Sequence, residues 1–109
     1  MKVLVCGGRE YSDYSKMHDI LMQYRIDLLI SGGSRGADTL AIRYASEYSI
    51  PTHIILANWN KYGKSAGPRR NMDMLRTNPD IVIAFKGGKG TAFTVAKAKE
   101  MGIKVIEVA

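Results

Sequence analysis

Three glycine-rich segments each follow a short apolar run: Cys6-Gly7-Gly8-Arg9, Ser31-Gly32-Gly33-Ser34-Arg35-Gly36-Ala37-Asp38 and Lys86-Gly87-Gly88-Lys89-Gly90-Thr91. Glycine admits positive φ and lets the main chain approach a ligand closely. Where such a segment opens onto a helix, free N–H groups and the helix dipole favour an anion. Three of them on one rim would hold a phosphate or another anion. The third segment is the richest, since Lys86 and Lys89 add charge beside Gly87, Gly88 and Gly90. Thr91 there is expected both to cap the following helix and to touch phosphate. In the first segment, Arg9 beside Gly7 and Gly8 is placed to reach a phosphate. In the second, Gly32, Gly33, Ser34 and Gly36 precede a helix whose first turn holds Ala37 and Asp38. Asp38 either caps that helix or accepts a ribose hydroxyl or an amine.

A fourth stretch, Asn58 to Asn71, is dense in groups that grip nucleotides. Trp59 and Tyr62 can stack on a base, and Arg69 or Arg70 can pair with phosphate. Asn58, Asn60 and Asn71 can read a base edge or a ribose. The first segment is not G-x-G-x-x-G, and the second strand closes on Ser31 where a dinucleotide fingerprint wants an acid. No G-x-x-x-x-G-K-[ST] loop occurs either. His18 and His53 have no sensibly spaced companions for a metal site, so none is expected. Cys6, the single cysteine, reads as a small buried hydrophobe.

The elements that must carry these groups follow from periodicity. Apolar runs at Lys2–Cys6, Asp27–Ile30, Thr52–Leu56, Asp80–Phe85 and Ile103–Val108 read as strands. Helices are expected at Asp13–Arg25, Ala37–Tyr48, Pro68–Thr77 and Thr91–Met101, with Ala57–Gly67 as an unpatterned functional loop. Strict alternation implies a parallel sheet covered by helices on both faces. The expected arrangement is a single Rossmann-like α/β/α domain over residues 1–109, with a five-stranded parallel sheet in the order 3-2-1-4-5. All strand C-terminal ends then share one edge, where such folds bind ligands.

The formal net charge is +6. Residues 1–60 carry six Lys/Arg and six Asp/Glu, whereas residues 61–109 carry ten and four, so the whole excess lies in the second half. A basic half favours nucleotides or nucleic acid as partners. No apolar run reaches the roughly 20 residues of a membrane span. With one cysteine and no signal-peptide pattern at the N-terminus, a cytoplasmic setting is expected.

Together these segments resemble the SLOG superfamily, which unites the Smf/DNA-processing and Lonely-guy proteins, and within it the YspA (cpYpsA-related) branch of unknown function. The resemblance rests on Cys6–Arg9 with Tyr11 and Asp13, on Ser31–Asp38, on Trp59 with Tyr62-Gly63-Lys64 and Ala66–Met72, and on Gly87–Thr91. It implies a Rossmann-like fold that binds nucleotides or nucleotide-derived ligands, with no cofactor required, and a homo-oligomer. Lonely-guy enzymes cleave the N-glycosidic bond of nucleoside monophosphates. Their P-G-G-x-G-T-x-x-E signature falls on Lys86 through Thr94, so Thr94 stands where they carry the catalytic glutamate. Glycosidic cleavage needs a carboxylate. Arg70, Glu10 and Asp38 are the remaining catalytic candidates. The leading expectation is therefore a nucleotide-binding sensor or sequestering module. A nucleoside-phosphate N-glycosidase and a single-stranded nucleic-acid binder are the alternatives.

Overall fold

A computed structural model describes all residues, 1–109. The five strands are β1 (Lys2–Cys6), β2 (Leu28–Ser31), β3 (Thr52–Ile54), β4 (Ile81–Ala84) and β5 (Lys104–Glu107). They form one all-parallel sheet in the expected order β3-β2-β1-β4-β5. In the centre, Leu4 registers with Ile30 on one side and Val82 on the other.

Side chains of a strand alternate between faces, and each face has its own helical cover. Val3 and Val5 of β1 pack with Leu29, Ile81 and Ile83 beneath α1 (Tyr14–Leu21) and α2 (Ala37–Glu47), which contribute Met17, Leu21, Ala41 and Tyr44. Leu4 and Cys6 face the other way with Ile30, Val82 and Ala84. Met74 and Leu75 of α4 (Ala66–Arg76) and Val95 and Ala98 of α5 (Lys89–Glu100) cover them. Both faces of the inner strands are thus buried, which is why those strands read as unbroken apolar runs.

Several predicted boundaries move, each for a local reason. Helix α1 is capped by Asp13, whose carboxylate accepts the Lys16 N–H at 3.1 Å. It stops at Leu21, short of Arg25, because Gln23 and Tyr24 turn back to Ile20 and Leu21 in tighter three-residue bonds. Strand β3 stops at Ile54, since β2 ends at Ser31 and offers only one further acceptor, to Ile55 N–H at 3.0 Å. The expected loop Ala57–Gly67 is instead wound into short turns. Helix α3 (Trp59–Tyr62) is followed by a 3-10 turn at Gly63–Ser65, and α4 begins at Ala66. Asn58 caps α3 by accepting the Lys61 N–H at 3.1 Å. Turns of three or four residues are too short to show a helical period.

Candidate functional site

Strands β1 and β4 are neighbours whose chains depart to opposite faces, which makes the gap between them the switch point of the sheet. The Gly7–Gly8 and Phe85–Gly88 segments leave this gap side by side. Gly8 N–H donates to the Lys86 carbonyl at 2.9 Å. A Cβ on Gly87 would fall 2.7 Å from Gly8 N and 2.9 Å from Thr91 Cβ, so no other residue fits there. The third loop is in this way laid directly on the first.

The second loop is locked onto the first as well. Gly36 has φ +82°, and a Cβ there would lie 2.6 Å from the Arg9 carbonyl oxygen. The Ala37 N–H donates to the Gly8 carbonyl at 3.1 Å, and Tyr11 N–H shares that acceptor at 3.2 Å. The first amide of α2 is therefore satisfied by the protein itself. Helix α5 differs. Its cap is Gly88, without a side-chain bond, and the N–H groups of Lys89, Gly90 and Thr91 have no protein acceptor. Thr91 sits inside this first turn, not at the cap, because the helix starts two residues earlier than its apolar stripe suggests.

Behind the rim lies a buried charged pair of unlike origin. Arg70 of α4 is 8% exposed. Its guanidinium donates to the Gly32 carbonyl at 2.6 Å and to Asn71 Oδ1 at 2.8 Å. Asp38 of α2, also 8% exposed, accepts the Ser34 N–H at 3.1 Å on Oδ2. It ties down its own loop and does not cap α2, whose cap residue is Gly36. A Cβ on Gly32 would meet both an Arg70 nitrogen at 2.5 Å and Asp38 Oδ2 at 2.9 Å, so the two charges converge there. They form no ion pair with each other. Burial pushes the Asp38 carboxyl above its ordinary range, while the Ser34 amide and the charges of Arg70 and Arg9 pull it back. Burial likewise lowers Arg70, with Asp38 supporting the cation and Arg9 opposing it. Arg70 remains charged.

These groups border a cavity of about 640 Å³. Of the residues singled out in the sequence, Gly7, Gly8, Arg9, Ser34 and Asp38 line it from the first two loops. Trp59, Arg70 and Asn71 line it from α3 and α4, and Gly88, Lys89, Gly90 and Thr91 from the start of α5. Gly32, Gly33, Gly36 and Gly87 stand outside the lining and shape the wall. Trp59 is 48% exposed at the mouth, its ring 3.2 Å from where a Cβ on Gly67 would lie, with the Arg9 guanidinium 5.8 Å from the ring centroid.

Other candidates lie elsewhere. Tyr62 and Arg69 do not reach the large cavity. They line a second one of about 310 Å³, with the Arg69 guanidinium 4.4 Å from the Tyr62 ring centroid. Glu10 points away and pairs with Arg35 at 2.6 Å, its side chain 88% exposed. Three lining residues carried no signal as ligand contacts in the sequence: Met74, Phe93 and Cys6. Phe93 is the one with a usable clue, because it is an aromatic set off the buried Thr94–Val95–Ala98 stripe of α5. Cys6 is buried and its thiol is pushed up to about 12, by desolvation first and by Asp38 second. Thr94, 1% exposed, lines the floor and donates its hydroxyl to the Gly90 carbonyl at 3.1 Å. Asp38 is the only carboxylate in the lining.

The sheet order and the loops gathered at its switch point define a Rossmann-like α/β protein with a cleft at that edge. The family model for the YspA, cpYpsA-related SLOG family matches residues 1–62. The "Gene 61 protein" of Mycobacterium phage D29 is 32% identical over 118 aligned residues, covering 96% of this chain and 94% of that protein. The chain belongs to the YspA, cpYpsA-related SLOG family. In fold it is similar to DNA processing protein A (DprA) from Streptococcus pneumoniae, with a TM-score of 0.77 and 21% identity. That match covers 99% of this chain and 50% of the other, so this chain spans half of that structure's length. No helix is long and apolar enough to cross a membrane.

Proposed function

We propose that this protein binds a nucleotide or nucleotide-derived ligand in the 640 Å³ cavity, as a sensor or sequestering module. The observation that carries the reading is the unpartnered first turn of α5 at Lys89–Thr91, open to the same cavity that Arg9 and the buried Arg70 border. Helix N-terminal amides bind phosphate, and the two arginines and Lys89 neutralise it. The space between Asp38 and Arg70 suits a group that both donates and accepts, such as a ribose hydroxyl. Trp59 and Arg9 stand at the mouth, where a base would stack. The cavity lies within the size range of small-ligand sites, roughly 300–1,000 Å³.

The test is a thermal-shift and calorimetric screen of nucleosides and their mono-, di-, cyclic and ADP-ribose-type phosphates. Phosphorylated ligands are expected to raise Tm by mass action, and nucleosides to do so far less. Replacing Lys89 and Thr91 together by Ala is expected to weaken binding about tenfold, the scale of a charge-assisted hydrogen bond. A panel without any binder, or nucleosides binding as well as their phosphates, would overturn the reading.

A hydrolytic reading has one observation in its favour: the cavity's sole carboxylate, Asp38, is buried and shifted towards the range of a general acid or base. It predicts release of free base from a nucleoside monophosphate, abolished in Asp38→Asn. Binding without turnover across the panel would refute it.

A further inference from the structure

The sequence groups Tyr62 and Arg69 with Trp59 and Arg70, but the fold separates them. Trp59 and Arg70 border the large cavity, and Tyr62 and Arg69 border the smaller one beside it. The two cavities share a divide made of Pro68 and Phe93. Phe93 lies two residues past Thr91 on α5, about 3 Å further along the helix axis. A ligand whose phosphate rests on the first turn of α5 is thus within a helical turn of the second cavity.

The second cavity has its own chemistry. The Arg69 guanidinium stacks over the exposed Tyr62 ring, and its only hydrogen bond is from Nε to Ser65 Oγ at 3.2 Å. The terminal amino groups of Arg69 are without an acceptor. Arg76 is also present and is compensated by Asp73 at 3.3 Å. A flat cation stacked on a phenol ring, with donors left over, suits a second base together with an adjoining phosphate. The cavity's 310 Å³ sits at the lower edge of ligand-sized sites and has room for one such unit.

We infer that the second cavity is a subsite for a second nucleotide unit, so that the ligand is two nucleotide units joined through phosphate and laid across Pro68 and Phe93. This rests on the proposed nucleotide site and extends it. It involves no dinucleotide fingerprint of the usual kind, since the phosphates would rest on α5 and not on the turn after β1. Two linkages present this chemistry: a 5′–5′ pyrophosphate between two nucleosides, or a 3′–5′ phosphodiester.

Calorimetry separates these outcomes with the base that binds best as a monophosphate. For adenine, the probes are AMP, ADP, diadenosine diphosphate and the dinucleotide pApA. One of the two-unit ligands is expected to bind at least about tenfold more tightly than AMP and ADP, the scale of one base–aromatic stack. Which one does so identifies the linkage. The Tyr62→Ala/Arg69→Ala double variant, whose side chains are exposed, is expected to lose that gain and to keep the AMP affinity within about twofold. If AMP binds and neither two-unit ligand binds more tightly, the subsite is refuted while the nucleotide site stands. If the double variant weakens AMP equally, the two cavities are one site and the inference fails. Affinity that keeps rising with oligonucleotide length beyond two units would replace the inference with a single-strand path. If no probe binds, both readings fall together.

Discussion

Removing the Arg70 guanidinium should damage the fold before it informs on any ligand. The side chain is 8% exposed and bridges two elements, donating to the Gly32 carbonyl after β2 at 2.6 Å and to its helical neighbour Asn71 at 2.8 Å. Hydrogen bonds from a charged donor contribute about 1.5–3 kcal/mol each, so about 3–6 kcal/mol of interaction is lost in Arg70→Ala. Part of this returns, because a guanidinium whose pKa is lowered by burial carries a desolvation cost that alanine does not. Water entering from the cavity also satisfies some of the Gly32 carbonyl. A net loss of about 3 kcal/mol follows, or about 12 °C in Tm at about 4 °C per kcal/mol for a domain of this length. Arg70→Lys keeps the charge but not the fork, and should lose about half as much. Thermal unfolding followed by circular dichroism at 222 nm, without ligand, reads both. An Arg70→Ala protein melting within about 3 °C of the parent would refute the bridging role. Loss of ligand binding in that variant is accordingly ambiguous, and the exposed Lys89 and half-buried Thr91 are the better probes.

Three further outcomes are expected. Asp38 has a carboxyl raised mainly by burial, so the folded state favours its protonated form. That contribution is complete below the unfolded value of about 3.9 and is lost as pH rises through the folded value. The Tm of Asp38→Asn relative to the parent should therefore climb between acid and neutral pH; a flat difference would sink the argument. Gly36→Ala combines about 1–2 kcal/mol of left-handed strain with loss of the two bonds to the Gly8 carbonyl, at about 1 kcal/mol each. Its urea denaturation should report about 3–4 kcal/mol of lost stability, and a loss below about 1 kcal/mol would contradict the clash with Arg9. Cys6, buried with its thiol pushed up to about 12, should resist a thiol-disulfide reagent at pH 8 until the protein is unfolded. Rapid labelling of the native state would show that the wall around it opens.

The sheet was legible because its inner strands are covered on both sides. Leu4 and Val5 serve opposite cores, so neither position tolerates a polar residue, and the run stands out in the sequence. All three residues of edge strand β3 are exposed, and its apolar run continues through Leu56, two residues past the last paired one. The glycine loops were recognised, yet their division of labour was not. Gly36 and Gly87 are glycines because one loop presses on another, whereas Gly88 and Gly90 have nothing near a would-be Cβ. Composition alone cannot tell a glycine pressed against protein from one that faces open space. Trp59, Tyr62, Arg69 and Arg70 sit in one stretch of chain, and the turns of α3 and α4 send them to two cavities and the interior. Helical phase decides that distribution, and the four residues of α3 that carry Trp59 and Tyr62 are too few to reveal theirs.

The open first turn of α5 has a bearing on how such a protein changes over generations. Its donors are main-chain amides at Lys89, Gly90 and Thr91, and a codon change alters the side chain while leaving the amide in place. The exposed groups around them, Trp59 at the mouth of the large cavity and Arg69 beyond the divide, act only through their side chains. Drift can therefore change those two exposed positions one at a time without altering the amides. A lineage built on this plan would keep the three open amides while the side chains on either side of them diversify.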